Sequence, residues 1–363
     1  MKKYLVVLLV LTLLFSLAPL LTSCAQTSTT KELALITDVG NIDDKSFNEG
    51  AWTGVKAYAE ANKKSYAYYK PSEDSTAARV ETIKTAISKG AKTIVCPGFL
   101  FEEAIYQVQT QYPKVMFLLL DGEPHTADYK PYKPESNVHC ILYKEQQAGY
   151  LAGYAAVMDG YRKLGFLGGM DVPAVIRYGF GYIQGAEAAA TKLGLKANDV
   201  TIKYWYSGVF AASDEIKTKM SGWYTEGTQV VFSCGGGIYT SAVAAAVAAK
   251  GKVIGVDVDQ ASQSDVIITS AMKGLTESVK LALTSLYANK GTWDAAHAGK
   301  TATLGAAENC VGLPTATASW RLTKFTVADY NTLFKDMQDG KVTVSNDSKT
   351  KPTVKLCKVE YLN

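Results

Sequence analysis

From Leu33 onward the chain alternates short apolar or β-branched runs with longer stretches whose apolar residues recur at helical spacing. Leu33–Thr37, Ser65–Tyr69, Thr93–Cys96, Val115–Leu120 and Val138–Leu142 predict strands. Between them, Ser46–Asn62, Ser75–Lys89 and Glu102–Gln111 predict helices. That βαβα rhythm belongs to a parallel sheet flanked by helices. It then restarts. After a helix at Glu145–Met158 come strands at Lys163–Leu167, Thr201–Tyr206, Val230–Ser233, Val253–Val256 and Val266–Thr269, with helices between, among them the Ala-rich Thr240–Ala249. Two such runs predict two α/β lobes. A helix at Met272–Asn289 leads into a tail read as irregular, ending in the strand-like "VGLP" and "TVKLCKVEYL".

The first residues stand apart from this pattern. Lys2 and Lys3 precede an apolar run, Tyr4 to Leu21, followed by Leu21-Thr22-Ser23-Cys24. A basic head, an apolar middle and small residues before a cut site read as a secretory signal. A membrane-spanning anchor would need about 20 apolar residues and no cleavage signature. Leu-Thr-Ser-Cys resembles the lipobox of bacterial lipoproteins, which implies cleavage before Cys24 and its acylation. "QTSTT" then reads as a flexible tether. The expected mature chain has 363 − 23 = 340 residues, enough for two lobes. Removing two lysines takes the formal charge from +4 to +2, which leaves no basic footprint for nucleic acid. The expected layout is therefore 1–23 signal, 24–31 tether, 32–144 with about 270–300 as lobe 1, and 145–269 with about 301–363 as lobe 2.

Five further cysteines, an odd number, cannot all pair internally. Cys96, Cys140 and Cys234 sit in apolar contexts and read as buried thiols, whereas Cys310 and Cys357 form a candidate disulfide. None has metal-ligand spacing, and the three histidines are isolated, so neither metal nor cofactor is expected.

In open α/β sheets ligands bind beyond the carboxyl ends of the strands. Those positions hold Asp38 after the first strand, Asp121 in "MFLLLDG", Gly235–Gly237 in "SCGGG", Asp257 and Asp259 in "GVDVDQ", and Ser270 and Lys273 in "TSAMKG". Ser46 and Glu49 have capping-box spacing, which makes Ser46 the N-cap and puts Phe47 and Asn48 at the start of a helix near Asp38. Asp43 and Asp44 read as favourable charge at that helix N-terminus, and Asp44 as nothing more. Singly, each strand-end residue is a turn, a cap or a solvated charge. "GGGIYTSAV" lacks the Gly-Lys-Ser/Thr ending of a phosphate loop, "GFGYIQG" lacks dinucleotide spacing, and no histidine is poised for acid–base work.

Together "DVGNIDDKSFNEGAW", "YLAGYAA", "GFGYIQGA", "GVDVDQ" and "TSAMKG", with the lipobox, resemble the basic membrane protein family, from Leu33 to about Gly291. The resemblance implies a type I periplasmic-binding fold: two doubly wound parallel-sheet lobes, hinged, with a ligand cleft between them. It further implies a monomeric lipoprotein outside the cell membrane that binds purine nucleosides (guanosine, inosine, adenosine) for an ABC permease and ATPase. By the same resemblance Phe47 and Phe180 would sandwich the base, Asp38 and Asn48 would bond its polar edges, and Asp121 would line the cleft. Asp257 and Lys273 would hold the ribose hydroxyls, and Gly235 would contribute backbone. Tyr178, Tyr204 and Trp205 are alternatives to Phe180. Two other readings stay open: a type I binding protein for a sugar or another small metabolite, and a calcium-dependent nucleoside hydrolase. The hydrolase pattern departs at Ile36, where its first acid should stand, and no second acid cluster supplies the roughly 6–8 oxygens that calcium takes.

Overall fold

The computed structural model describes residues 30–128 and 133–362. The expected signal segment, Cys24 and most of the tether lie outside the described residues. Residues 31–363 form one compact unit. Strands β1 (Leu33–Ile36), β2 (Tyr66–Tyr69), β3 (Thr93–Pro97), β4 (Met116–Leu120), β5 (Val138–Tyr143) and β11 (Lys300–Leu304) make one parallel sheet in the order β11-β5-β4-β3-β1-β2. Strands β6 (Lys163–Gly168), β7 (Val200–Tyr206), β8 (Val230–Cys234), β9 (Lys252–Asp257), β10 (Ile267–Lys273), β12 (Val311–Gly312) and β13 (Cys357–Leu362) make the second, in the order β12-β10-β9-β8-β6-β7-β13. Only the β10–β12 pair in it is antiparallel. Helices cover the sheets: α1 (Phe47–Ala61), α2 (Thr76–Ser88), α3 (Glu102–Gln109), α4 (Glu145–Met158), α5 (Pro173–Lys192), α6 (Asp214–Thr225), α7 (Tyr239–Ala249), α8 (Leu275–Ala288) and α9 (Val327–Gln338).

The inner strands are unbroken apolar runs because both of their faces are covered; all four residues of β1 are inaccessible to solvent. The chain passes between the sheets three times: after β5, after β10 and after β11. Although β10 belongs to the second sheet, α8 returns to pack with α1 over the first, through Leu275, Val279, Leu283 and Leu286.

Helices α4 and α5 meet with unusual closeness. A Cβ at Gly149 would stand 2.0 Å from the Tyr178 carbonyl oxygen, and one at Gly185 2.0 Å from that of Tyr150. This is why "YLAGYAA" and "GFGYIQGA" are spaced as they are: small residues one turn apart let the two backbones touch. The close fit also brings the first turn of α4 alongside Arg177 and Tyr178 of α5.

Four expectations are corrected. The strand expected to end at Thr269 continues to Lys273, and its helix begins at Leu275 rather than Met272. Residues 300–304, assigned by sequence mainly to the second lobe, pair with β5 in the first sheet; as a half-exposed edge strand, "KTATL" carries no continuous apolar run. The tail is not irregular, since α9 lies in it, opened by a capping box between Thr326 and Asp329. Cys310 and Cys357 are both free, each buried in a different apolar cluster. Among the described residues no helix is long and apolar enough to cross a membrane.

Candidate functional site

The carboxyl ends of both sheets border one cavity of about 650 Å3. The first sheet supplies Asp38, Gly98 and Asp121 just beyond β1, β3 and β4; the second supplies Gly235 beyond β8 and the last residues of β9 and β10, Asp257 and Lys273. Four of these bend the chain through positive φ: Gly98 (113°), Asp121 (60°), Gly235 (145°) and Asp257 (66°). Left-handed backbone is ordinary for glycine but strained for aspartate, and such strain persists only where the surroundings impose it.

Phe47 opens α1 with its ring against Gly98, whose hypothetical Cβ would lie 3.7 Å from the ring edge. In the second lobe Phe210 lies on Gly235, where a Cβ would come within 2.8 Å of its ring. Both rings line the cavity and both are half-buried. Phe180, expected as the second aromatic wall, does not line it; it is buried in the core beside Tyr204, with ring centroids 6.2 Å apart. The helix explains the correction. Ala174, Val175 and Tyr178 of α5 face the cavity, and Phe180 stands two residues beyond Tyr178, about 200° around the axis.

Asp38 is organised by its neighbours. Its Oδ1 accepts from the Gly40 amide at 2.7 Å and from Asn48 Nδ2 at 2.8 Å, while its own amide donates to Asn48 Oδ1 at 3.2 Å. Asn48 Nδ2 also donates to Asp44 at 2.9 Å, so both of its amide hydrogens are committed within the loop. Oδ2 of Asp38 has no hydrogen-bond partner among the described residues. Burial pushes the Asp38 carboxyl up to about 6, against the pull of Asn48 and the Gly40 amide.

The expected capping box does not form. Asp44 takes the cap instead, accepting from the amides of Ser46 (2.8 Å), Asn48 (3.0 Å) and Glu49 (3.1 Å). Burial still raises its carboxyl above the usual range. Glu49 turns back to Lys45, and the Ser46 hydroxyl donates to Asp257 Oδ2 at 2.6 Å.

Asp121 and Lys273 of the cavity wall belong to a largely buried charge cluster. The Lys273 ammonium pairs with Asp121 and stands 3.2 Å from Glu145, which holds Arg177 Nε at 2.6 Å. The same ammonium lies 4.9 Å from the centre of the Phe47 ring. Burial opposes the charge on Lys273, but Asp121, Glu145 and Asp257 together hold it above the ordinary lysine range. Burial pushes Asp121 up while Lys273 pulls it back. Glu145, between Lys273 and Arg177, stays below the usual glutamate range despite its burial.

Of the residues expected from sequence, Asp38, Phe47, Asn48, Asp121, Gly235, Asp257 and Lys273 line one cavity, and Phe180 does not. Sequence reading missed Phe210, Glu145, Arg177 and the reach of Ser46. For Phe210 a signal existed: a loop aromatic ("SGVFAAS") beyond β7, in the position already judged informative elsewhere. Among the described residues no group of three His, Cys, Asp or Glu is arranged to hold a metal ion.

Two largely parallel sheets with a cavity across their carboxyl ends make an architecture that solute-binding proteins share. A crystal structure of an ABC transporter solute-binding protein from Aeropyrum pernix K1 matches with a TM-score of 0.67 at 23% identity over 88% of each chain. One from Conexibacter woesei DSM 14684 gives 0.67 at 22% identity, over 87% of this chain and 99% of that one. At such identities the likeness carries the fold, which is of the type I periplasmic-binding kind. The family described as "ABC transporter substrate-binding protein PnrA-like" matches residues 31–353, and the chain belongs to it. Among its relatives, basic membrane protein A1 of Borrelia garinii subsp. bavariensis is 30% identical over 288 residues, 77% of this chain and 79% of that one. The ABC transporter nucleoside-binding protein BmpA of Lactococcus lactis subsp. cremoris is 29% identical over 238 residues, 62% of this chain. The match spans 64% of the length of that BmpA, and 63% of a CD4+ T-cell-stimulating antigen of Listeria monocytogenes, less than two thirds of either.

Proposed function

We propose that this chain is the extracytoplasmic, lipid-anchored binding component of an ABC importer, and that its cargo is a purine nucleoside such as guanosine, inosine or adenosine. One observation carries the reading: two phenylalanine rings from opposite lobes, Phe47 and Phe210, each laid on a strand-end glycine, border a cavity rich in hydrogen-bond acceptors. Stacking on an aromatic contributes about 1–3 kcal/mol per face, so two faces supply roughly 2–6 kcal/mol. Micromolar affinity requires about 8 kcal/mol. The remainder falls to Asp38, whose free oxygen accepts from the ring N–H of inosine or guanosine or from the amino group of adenosine, and to Asp257 with Lys273 on the sugar hydroxyls. Asn48 acts by aiming Asp38, and Asp121 by fixing Lys273.

The charge balance narrows the class. Asp38, Asp43, Asp44, Asp74, Asp121 and Asp257 line the cavity against Lys70 and Lys273, six acids to two cations. A nucleoside 5′-phosphate would bring another negative charge into that field, so nucleosides enter and nucleotides are turned away. The name of the Lactococcus relative, a nucleoside-binding protein, supports the same ligand class. The carboxylates serve as acceptors, and the ligand leaves unaltered; a monomer released to a permease and ATPase completes the cycle.

The experiment is a thermal-shift panel on the full chain with inosine, guanosine, adenosine, inosine 5′-phosphate, ribose and glucose. Saturating nucleoside should raise the melting temperature, because a ligand that binds only the native state stabilises it. The phosphate and the sugars should leave it in place. A shift with the sugars alone would transfer the protein to sugar binding, and hypoxanthine released from inosine in the presence of calcium would make it a hydrolase.

A further inference from the structure

Ser46 holds the N-cap position of α1 yet makes no side-chain cap bond, because Asp44 has taken that role. Its hydroxyl reaches across to the other sheet, where it donates to Asp257 Oδ2 at 2.6 Å; Ser46 is fully buried. A neighbouring bond runs between the same two segments. The Lys45 carbonyl accepts from Gln260 Nε2 at 2.8 Å, and Gln260, also fully buried, is held by the Val256 amide (3.1 Å, on its Oε1) and by Ser270 Oγ (3.1 Å, from its own amide). Lys45 itself has a φ of 54°, a strained conformation for a lysine, which Glu49 supports through both the Lys45 amide and its ammonium. Two residues of the first lobe are thus fastened to the 256–260 turn of the second, at the acid expected to meet the sugar.

The chemistry of that acid gives the contact a purpose. A carboxylate recognises a hydroxyl only if an oxygen is held in the right direction; left to rotate, it would accept from water equally well. Asp257 ends β9 in a left-handed conformation, and apart from Ser46 no described residue donates a hydrogen bond to its carboxylate. Lys273 acts on it electrostatically, and the two form no ion pair within contact distance.

We propose that Ser46 is a positioning residue for sugar recognition. From the opposite lobe it fixes one oxygen of Asp257 and leaves the other to accept from a ribose hydroxyl, so that discrimination between ribose and deoxyribose depends on the contact between the lobes. The inference rests on the nucleoside reading above. It assigns to Ser46 a role in which the residue touches no ligand.

The test is calorimetric titration of the full chain with inosine, 2′-deoxyinosine and 3′-deoxyinosine, for the wild type, Ser46→Ala, Ser46→Thr and Asp257→Ala, with melting temperatures recorded alongside. The wild type should prefer inosine to at least one deoxy analogue by about tenfold or more. Ser46→Ala should lose about tenfold in inosine affinity while its affinity for that analogue changes by less than about threefold, collapsing the preference as Asp257→Ala does. Ser46→Thr, which keeps the donor, should retain the preference. If Ser46→Ala does not fold, Ser46→Cys, of nearly the same size and a poorer donor, should show the same collapse. Equal losses for all three ligands, or an intact preference in the alanine or cysteine variant, would overturn the role of Ser46 and leave the nucleoside reading standing. A wild type that binds no inosine would overturn both.

Discussion

The two lobes meet the cavity with the same device built from different residues. In the first, β3 is followed by Gly98, a 3₁₀ turn at Phe99–Phe101 and the start of α3; in the second, β8 is followed by Gly235, a 3₁₀ turn at Gly236–Ile238 and the start of α7. In each, the next strand delivers an aspartate at positive φ, Asp121 or Asp257. The differences lie in what is laid over this frame. The first lobe takes its aromatic from the start of a helix (Phe47), the second from a loop (Phe210). Each aspartate has one oxygen engaged from the other lobe: Asp121 by Lys273 at the end of β10, Asp257 by Ser46 at the start of α1. A repeated strand-end frame supplies the places, and cross-lobe partners decide what each place does.

Breaking the second-lobe charge cluster that anchors this wiring should have the largest effect. Glu145, without solvent exposure, is the link between Lys273 and Arg177. Glu145→Ala leaves the buried Lys273 with Asp121 alone and takes from the partly buried Arg177 its carboxylate partner, and should lower stability by about 3–5 kcal/mol in urea unfolding. The aromatic pair separates next. Phe210→Ala should weaken inosine binding by about 1–3 kcal/mol with little change in melting. Phe180→Ala, in the core, should instead lower stability by about 3–5 kcal/mol and leave inosine affinity unaltered in calorimetry.

The first-lobe acid has a signature in pH. With the Asp38 carboxyl at about 6, lowering the pH from 7 to 5 protonates it in the free protein and removes the acceptor, so the inosine dissociation constant should rise roughly tenfold. In the same window the folded state binds a proton that the unfolded state, with an ordinary aspartate near 3.8, does not. Asp38 itself therefore stabilises the fold as the pH falls, so the weakening does not come from a loss of its contribution to folding. Asp38→Asn should flatten the pH profile of binding. The smallest effect belongs to Asp44→Ala, which removes the cap of α1 and should cost about 1 kcal/mol in thermal or urea unfolding.

How far the sequence could carry this picture follows from the range of the interactions. The frame was legible because it is local: apolar runs mark strands, and the ends of those runs name Asp38, Asp121, Gly235 and Asp257 without any knowledge of the partner sheet, whereas Lys273, four residues past the expected end of its strand, is itself the end of β10. Phe180 was misread because the glycine-spaced stretch marks a helix–helix contact, and which face of α5 meets the cavity depends on the docking of α4. Ser46 was misread for a similar reason. Ser-x-x-Glu reads locally as a capping box, and only the approach of β9 draws the hydroxyl away, leaving the cap to Asp44. The helix α9 was missed although Thr326 and Asp329 announced it, because its apolar face is narrow, with only Tyr330 and Met337 buried.

The central claim is that a purine nucleoside is held between Phe47 and Phe210. It is tested most directly by titrating inosine into the full chain, stripped of co-purified ligand, and into Phe47→Ala and Phe210→Ala. The account predicts one inosine per chain with a micromolar or tighter dissociation constant, weakened at least about fivefold by either substitution (about 1 kcal/mol). Binding that both substitutions leave unchanged, or no heat at millimolar inosine, would contradict it.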